Sequence, residues 1–453
     1  MSPMSTAATV WVLMNIGILQ TISEFSHWPM SLHRRTAFER CLESRVFPFP
    51  LPRGRFPWTP DVFHKFLTKF TFSEEFDEPE KYRSSYSVQR QVKIWADILK
   101  CLGHEAHTAI IIRHMIAIQP QSGPQPGQPL VDPFLKVTHD TFDGVKVIVY
   151  QPTSVKSSLR GGLVYMYAGG WALGSAEIVD TNMRRLAKTS NIVIVSVDYR
   201  RAPEHIFPAP LDDVVKATKY FMRCACKFGV NRNRIAIGGE SSGGTLAAAV
   251  TLKFRNTNWR PRIKLQVLLY PPLQTIDFMT PSYLENACNG DLDHSKIRGF
   301  WLWYAFGNVT DLPLVDFSRN CHTTAAAKAR YGRLLPWSAL PDTSEKPSQR
   351  RLSKSCRRPN KSLWSKVKST FTDQYFAPLM ARNMRRLPEA LIITVKDDVL
   401  RDDGIMYARR LKDAGVKVTS AMFSAPHNIF ALPEGNVTKT IALEISDFLN
   451  SRL

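Results

Sequence analysis

From about residue 130 onward the chain alternates short, unbroken apolar runs with longer stretches whose apolar positions recur every three or four residues. Unbroken runs of this length suit buried strands, and the longer spacing places apolar side chains on one face of a helix. The expected strands are VKVIVYQP (Val145 to Pro152), GLVYMY (Gly162 to Tyr167), NIVIVSVDY (Asn191 to Tyr199), RIAIGG (Arg234 to Gly239), KLQVLLYP (Lys264 to Pro271), EALIITVK (Glu389 to Lys396) and VKVTSAMF (Val416 to Phe423). Helical spacing fills segments between them, including Asp213 to Cys226 and Thr245 to Phe254. Such alternation predicts the α/β class, a mostly parallel central sheet flanked by helices. The rhythm breaks from Ser282 to Pro388, as an inserted lid would break it.

Upstream, Ile94 to Ile118 reads as helical, and QPQSGPQPGQP (Gln119 to Pro129) is a Pro/Gly/Gln linker that marks a domain boundary. Residues 25 to 92 are aromatic and broken by proline, and no period assigns them. The first 23 residues carry no charged side chain. Their apolar centre, Ala7 to Leu19, is shorter than the ~20 residues of a full span but suits a signal-peptide core or a short anchor. A buried amphipathic helix would give the same pattern. Arg34 and Arg35 follow this segment and no Lys or Arg precedes it, which opposes a cytoplasmic N-terminus. The expected division is an N-terminal anchor (1–24), an extension with cap helices and linker (25–129), and a main domain (130–453) with its lid at 282–388.

Composition changes this picture in few places. With 453 residues, 44% of them hydrophobic, the chain can bury a large core. A net charge of +21 invites a nucleic-acid reading, but the charge is uneven. KPSQRRLSKSCRRPNKSLWSKVK, Lys346 to Lys368, holds nine Lys or Arg and no acid, a block that reads as a disordered insertion. No nucleic-acid partner is therefore expected. Seven cysteines, at 41, 101, 224, 226, 288, 321 and 356, include no C-x-x-C pair, so no metal is expected on sulfur and one disulfide of open pairing is allowed. Sequons at Asn308, Asn360 and Asn436 would be glycosylation acceptors in the secretory pathway.

The chemistry centres on RIAIGGESSGGTLAAAVTLKF, Arg234 to Phe254. A strand, a sharp turn with glycines on both sides and an alanine-rich helix surround Gly239-Glu-Ser-Ser-Gly243, which fits G-x-S-x-G. Such a turn lifts the Ser241 hydroxyl out of the backbone, and a hydroxyl needs a base within reach to act as a nucleophile. The acid and the histidine should follow in that order on loops after later strands. EALIITVK ends at Asp397 and Asp398, with Asp402 and Asp403 close behind, so four carboxylates are available. VKVTSAMF runs into Ser424-Ala-Pro-His427, and of eleven histidines His427 alone follows the expected last strand. Further upstream, YMYAGGWALGS (Tyr165 to Ser175) is a glycine-paired loop with no acid or base beside it.

VDYRRAPEHIFPAPLDD (Val197 to Asp213), GESSGG (Gly239 to Gly244), LLYPPLQTIDFMTPSYLEN (Leu268 to Asn286) and DDVLRDDGIMYARRLKDAGVKV (Asp397 to Val418) together resemble the arylacetamide deacetylase-like branch of the hormone-sensitive lipase group. The resemblance runs from about residue 93 to the end. It implies the α/β-hydrolase fold with a helical cap, and serine esterase chemistry on carboxylic esters, amides or lipid esters. It needs no cofactor and no metal. It places the acid on Asp398, the base on His427 and the oxyanion donors on the N–H groups of Gly169, Gly170 and Ser242. It also implies a single-pass anchor in the endoplasmic reticulum membrane with a lumenal catalytic domain.

Two departures from the family pattern bear on activity. Its oxyanion loop reads His-Gly-Gly-Gly where this chain has Tyr167-Ala168-Gly169-Gly170, and Ser424-Ala-Pro stands where Asp-Gly-Phe precedes the histidine. If Ala168 needs a positive φ, the loop carries strain. Two readings follow: an active hydrolase of small apolar esters, or a catalytically impaired member that keeps the fold and a ligand pocket. The lid aromatics Trp301, Trp303, Tyr304 and Phe306 fit an apolar substrate or plain core packing equally well.

Overall fold

Eight strands form one sheet in the order β1-β2-β4-β3-β5-β6-β7-β8. They are β1 (Leu135–Phe142), β2 (Val145–Pro152), β3 (Arg160–Met166), β4 (Val193–Asp198), β5 (Val230–Glu240), β6 (Leu265–Leu269), β7 (Glu389–Asp397) and β8 (Val418–Pro426). The computed structural model describes residues 132–154, 158–287, 292–307, 312–313, 316–317, 319–341, 356, 358–432 and 435–453, with Ala109, Ile110 and Arg113 upstream. The anchor at 1–24, the helix and linker expected within 94–129, and most of the first half of the basic block lie outside the described residues. So does the Asn308 sequon.

The central strands are apolar on both faces, which parallel pairing between covering layers requires. From β4 through β3, β5, β6 and β7 to β8, every pair is parallel. β1 and β2 add an antiparallel edge. All seven expected strands are present. β1, LKVTHDTF, was not among them: it lies at the sheet edge, carries a run of four polar residues and leaves half of its residues facing water.

Helices α1 (Asp180–Ser190), α2 (Ala209–Arg223), α3 (Ser242–Asn256), α8 (Arg401–Asp413) and α9 (Asn436–Asn450) flank the sheet. Helix α1 packs on α9 and on β2 and β4, α2 packs on α3, and α8 lies along β7 and β8. The motif VDYRRAPEHIFPAPLDD has a structural reason at its ends. Asp213 accepts from the Arg200 backbone N–H at 3.0 Å and from its guanidinium at 2.8 and 2.7 Å, folding the segment back on itself.

Between β6 and β7 the chain builds the cap, with α4 (Pro281–Glu285), α5 (His294–Phe306), α6 (Ala325–Gly332) and α7 (Lys361–Phe371). Two of the four carboxylates after β7 hold its base. Asp403 accepts from the backbone N–H of Leu273 at 2.9 Å and of Gln274 at 3.3 Å, and Asp402 accepts from Ser282 N–H at 2.7 Å. Arg401 adds an ion pair to Glu285 at 2.8 Å.

The cap interior is aromatic. Trp301 and Tyr304 are fully buried, and Tyr304 stacks on Phe376, so core packing accounts for both. The second half of the basic block is folded, against its reading as disordered. Leu363, Val367 and Phe371 put one apolar face of α7 in the core while its lysines face outward. A disulfide joins Cys321 to Cys356, the pairing that sequence left open. Asn360 caps α7: its Oδ1 accepts from Leu363 N–H at 2.9 Å and its Nδ2 donates to Asp316 at 2.7 Å. That sequon amide is thus committed to structure, whereas Asn436 at the start of α9 is exposed.

His322 lies sandwiched between Phe278 and Phe317, at 4.9 and 5.1 Å, and its Nε2–H donates to the Thr275 carbonyl at 2.9 Å. Burial pushes its pKa down to about 3, so the folded protein holds it neutral. An unfolded histidine takes up a proton near pH 6.5. Stability from His322 is therefore complete above that pH and is lost as pH falls from 6.5 towards 3, by up to about 1.4 kcal/mol per pH unit. In urea titrations at pH 7 and pH 4.5, His322→Gln should lose stability at pH 7 and show a shallower decline between the two. An unchanged decline would contradict this account.

Candidate active site

Strand β5 delivers Ser241 at a turn where its backbone takes φ 50° and ψ −123°, a left-handed conformation that a serine holds only when its surroundings impose it. They do so here. Ser241 N–H donates to the Leu269 carbonyl at 2.9 Å, and the Ser241 carbonyl accepts from Thr245 N–H at 3.2 Å as α3 begins. Both motif glycines are forced by close approach. A Cβ on Gly239 would lie 2.5 Å from the Gly243 backbone, and one on Gly243 would lie 2.2 Å from the Met166 carbonyl oxygen.

His427 follows β8 and reaches the serine. Its Nε2 lies 2.9 Å from Ser241 Oγ and its Nδ1 2.9 Å from Asp398 Oδ2. A proton on Nδ1 lets the ring donate to the carboxylate and accept from the hydroxyl. The other Asp398 oxygen accepts from Leu400 N–H at 2.9 Å, and its carbonyl accepts from Asn286 Nδ2 at 3.2 Å, so the acid is fixed at three points. Ser241, Asp398 and His427 are all at most 5% exposed. The choice among the four carboxylates is resolved: Asp397 points to solvent, Asp402 and Asp403 anchor the cap, and Asp398 alone meets the imidazole.

Facing this relay, the loop after β3 carries the paired glycines with φ 133° at Gly169 and 59° at Gly170. The carbonyl of Gly169 accepts from Ala172 and Leu173 N–H, at 3.1 and 2.8 Å, and curls the loop. Among the described residues nothing takes up the N–H groups of Gly169, Gly170 or Ser242. These three are the donors expected from the sequence. The strain expected at Ala168 is absent: the left-handed positions of the loop are Gly169, Gly170, Trp171 and Gly174, and Ala168 is not one of them. A Cβ is therefore tolerated where the family has glycine.

One buried acid had no role in the sequence reading. Glu240, between the motif glycine and the serine, is inaccessible and accepts from the Tyr270 hydroxyl at 2.7 Å. Burial raises its pKa to about 7. Tyr270 in turn accepts from Phe430 N–H at 3.3 Å and sets its ring edge against His427 at 4.9 Å. The pair ties the turn before the serine to the loop after the histidine. Only the position of Glu240 inside the motif could have flagged it.

A serine on a strand-to-helix turn, relayed through histidine to a buried aspartate and faced by unpaired amides, defines a serine hydrolase site on an α/β scaffold. Comparison with known proteins agrees. A family model described as the α/β hydrolase fold matches residues 163–330 and 322–431. Bovine neutral cholesterol ester hydrolase 1 is 37% identical over 293 residues, 63% of this chain and 71% of that protein. Rabbit arylacetamide deacetylase is 37% identical over 298 residues, 64% of this chain and 73% of that one. Among solved structures, a thermostable esterase from Pseudomonas putida superposes with a TM-score of 0.52 at 27% identity, covering 70% of this chain and 83% of its own. The chain belongs to the α/β-hydrolase family, in its arylacetamide deacetylase-like branch, and is a hydrolase of the esterase and deacetylase type.

The close approach at Gly243 gives a direct check. Gly243→Ala must push the nucleophile turn away from β3 because the obstructing atom is backbone, at a cost of about 1–3 kcal/mol or more. Thermal denaturation should show a lower Tm, whereas Gly299→Ala, where a Cβ meets nothing within 4 Å and the backbone is not left-handed, should lose less. Equal losses would refute the packing argument.

Proposed function

We propose that this protein hydrolyses carboxylic esters, and amides of related shape, through an acyl-enzyme on Ser241. The observation that carries the reading is the unbroken relay Asp398–His427–Ser241, at 2.9 Å on both sides, facing three unpaired amide groups. His427 takes the hydroxyl proton as Ser241 Oγ attacks the carbonyl carbon. The resulting oxyanion is met by the N–H groups of Gly169, Gly170 and Ser242, each donor worth roughly 2.7–4 kcal/mol in such holes. His427 returns the proton to the leaving alkoxide or amine, and Asp398 stabilises the imidazolium between the two transfers. Water, deprotonated by the same imidazole, then attacks the acyl carbon and restores Ser241.

The relatives named for cholesterol esters and arylacetamides support an apolar ester as substrate. We also propose that the uncharged N-terminal segment anchors the protein in the endoplasmic reticulum membrane, with the catalytic domain lumenal. The Cys321–Cys356 disulfide supports this, since such bonds persist in oxidising compartments. Among the described residues no helix is long and apolar enough to cross a membrane.

A fluorophosphonate probe tests the chemistry. Wild type should label and Ser241→Ala should not, and an unlabelled, folded wild type would sink the proposal. On p-nitrophenyl butyrate, Asp398→Asn should lower kcat by about 10⁴-fold through the wrong imidazole tautomer. Asp397→Asn, at the exposed neighbour, should stay within about twofold, since surface changes away from the relay have small effects. A series of p-nitrophenyl esters of increasing acyl length then reads the size of the apolar pocket.

A further inference from the structure

The unpaired amides of Gly169 and Gly170 are useful only if the loop holding them keeps its shape, and no histidine stands at its head. What stands there is Tyr167, fully buried at the end of β3. Its ring lies flat on Tyr199, with centroids 4.5 Å apart and planes 9° from parallel. Its hydroxyl donates to Asp198 Oδ1 at 3.3 Å, and the Tyr199 hydroxyl donates to the Tyr167 carbonyl at 3.1 Å. Further along, Ala202 N–H donates to the Trp171 carbonyl at 2.9 Å, and the Arg201 guanidinium donates to the Gly174 carbonyl. The five residues from Asp198, the last of β4, to Ala202 thus strap the loop at Tyr167, Trp171 and Gly174.

The strap works against a load. Trp171 adopts φ 60°, a conformation costing a residue with a Cβ about 1–2 kcal/mol, and it survives only where neighbours over-determine it. From the cap side, Tyr304 stacks on its indole at 4.5 Å and 4°, and Trp301 packs at 4.5 Å. A Cβ on Gly170 would lie 2.2 Å from the Phe300 ring, which shows how closely helix α5 presses on the donors. The loop is therefore pressed down by the cap and tied from below. Tyr167 is the one residue that joins the strap both through its side chain and through its backbone.

Resting on the serine-hydrolase reading, we infer that Tyr167 is a positioning residue: stacked on Tyr199 and bonded to Asp198, it aims the Gly169 and Gly170 N–H groups at the oxyanion in place of the histidine that this chain lacks. It touches no reacting atom. A loosened strap moves the donors but leaves the serine, the base and the acid where they are. A plain core tyrosine would instead affect stability alone.

The test uses the full chain with Tyr167→Phe, which removes only the hydroxyl, and Tyr199→Phe, which frees the Tyr167 carbonyl. Steady-state kinetics on p-nitrophenyl butyrate, pH–rate profiles and Tm are measured for each. We expect kcat to fall ten- to a hundredfold in both, the scale of donors displaced by about 1 Å. KM should stay within twofold and the apparent pKa of the base should not move, because His427 and Asp398 are untouched. The double variant should lose less than the product of the two single losses, since both ties hold one loop. If the wild type turns over and either variant keeps its kcat, or loses rate only in proportion to the fraction unfolded, the positioning role is overturned while the hydrolase reading stands. If the folded wild type neither turns over nor labels with fluorophosphonate, the hydrolase reading fails and this role falls with it.

Discussion

The site depends on one close contact, the seating of the start of helix α3 against the end of strand β3. A Cβ at Gly243 would lie 2.2 Å from the Met166 carbonyl oxygen and 2.7 Å from that of Tyr167. This approach brings the nucleophile turn beside the oxyanion loop, so the attacking oxygen and two of the three donors come from strands adjacent in the sheet. Central strand pairing does the coarse positioning, and the glycines permit the last ångströms. The acid and base arrive from β7 and β8, further along the same sheet, so their separation from the serine is set by strand spacing and by the loops that leave each strand.

Burial shapes the electrostatics around this contact. Burial raises the pKa of Glu240 to about 7, which disfavours a second negative charge in a site where the reaction itself generates one. The Asp398 carboxylate, by contrast, is matched to an imidazole and a backbone N–H, the arrangement in which a buried carboxylate is best supported. The cap's contact with the oxyanion loop is made by the rings of Phe300, Trp301 and Tyr304, which exclude water and strengthen every dipole aimed at the reacting carbonyl.

Much of this was legible in the chain because central strands of a parallel sheet are uniformly apolar and the nucleophile turn leaves a glycine signature. Ser241 and His427 followed from position relative to strands. Asp398 did not: four carboxylates share one short segment, and which of them turns inward depends on where β7 releases the chain. Strand β1 escaped because an edge strand with a run of polar residues and half of its length facing water looks like a loop. The basic block misled because its nine cations dominate the composition, although Leu363 and Val367 within it and Phe371 just beyond stand four residues apart and bury one helix face. Ala168 misled for another reason: the glycines of the loop were legible, but which peptide carries the left-handed turn depends on the curl that the Gly169 carbonyl imposes.

The Cys321–Cys356 bond encloses the first half of the most arginine- and lysine-rich stretch of the protein, a sequence dense in the residues after which trypsin-like proteases cut. A single cut between the two cysteines leaves both new ends within a covalent bridge. One product end stays joined to the cap's first helices and the other to α7, whose buried face continues into the core. Processing there would yield two chains that separate only on reduction, with Ser241 on one chain and Asp398 and His427 on the other.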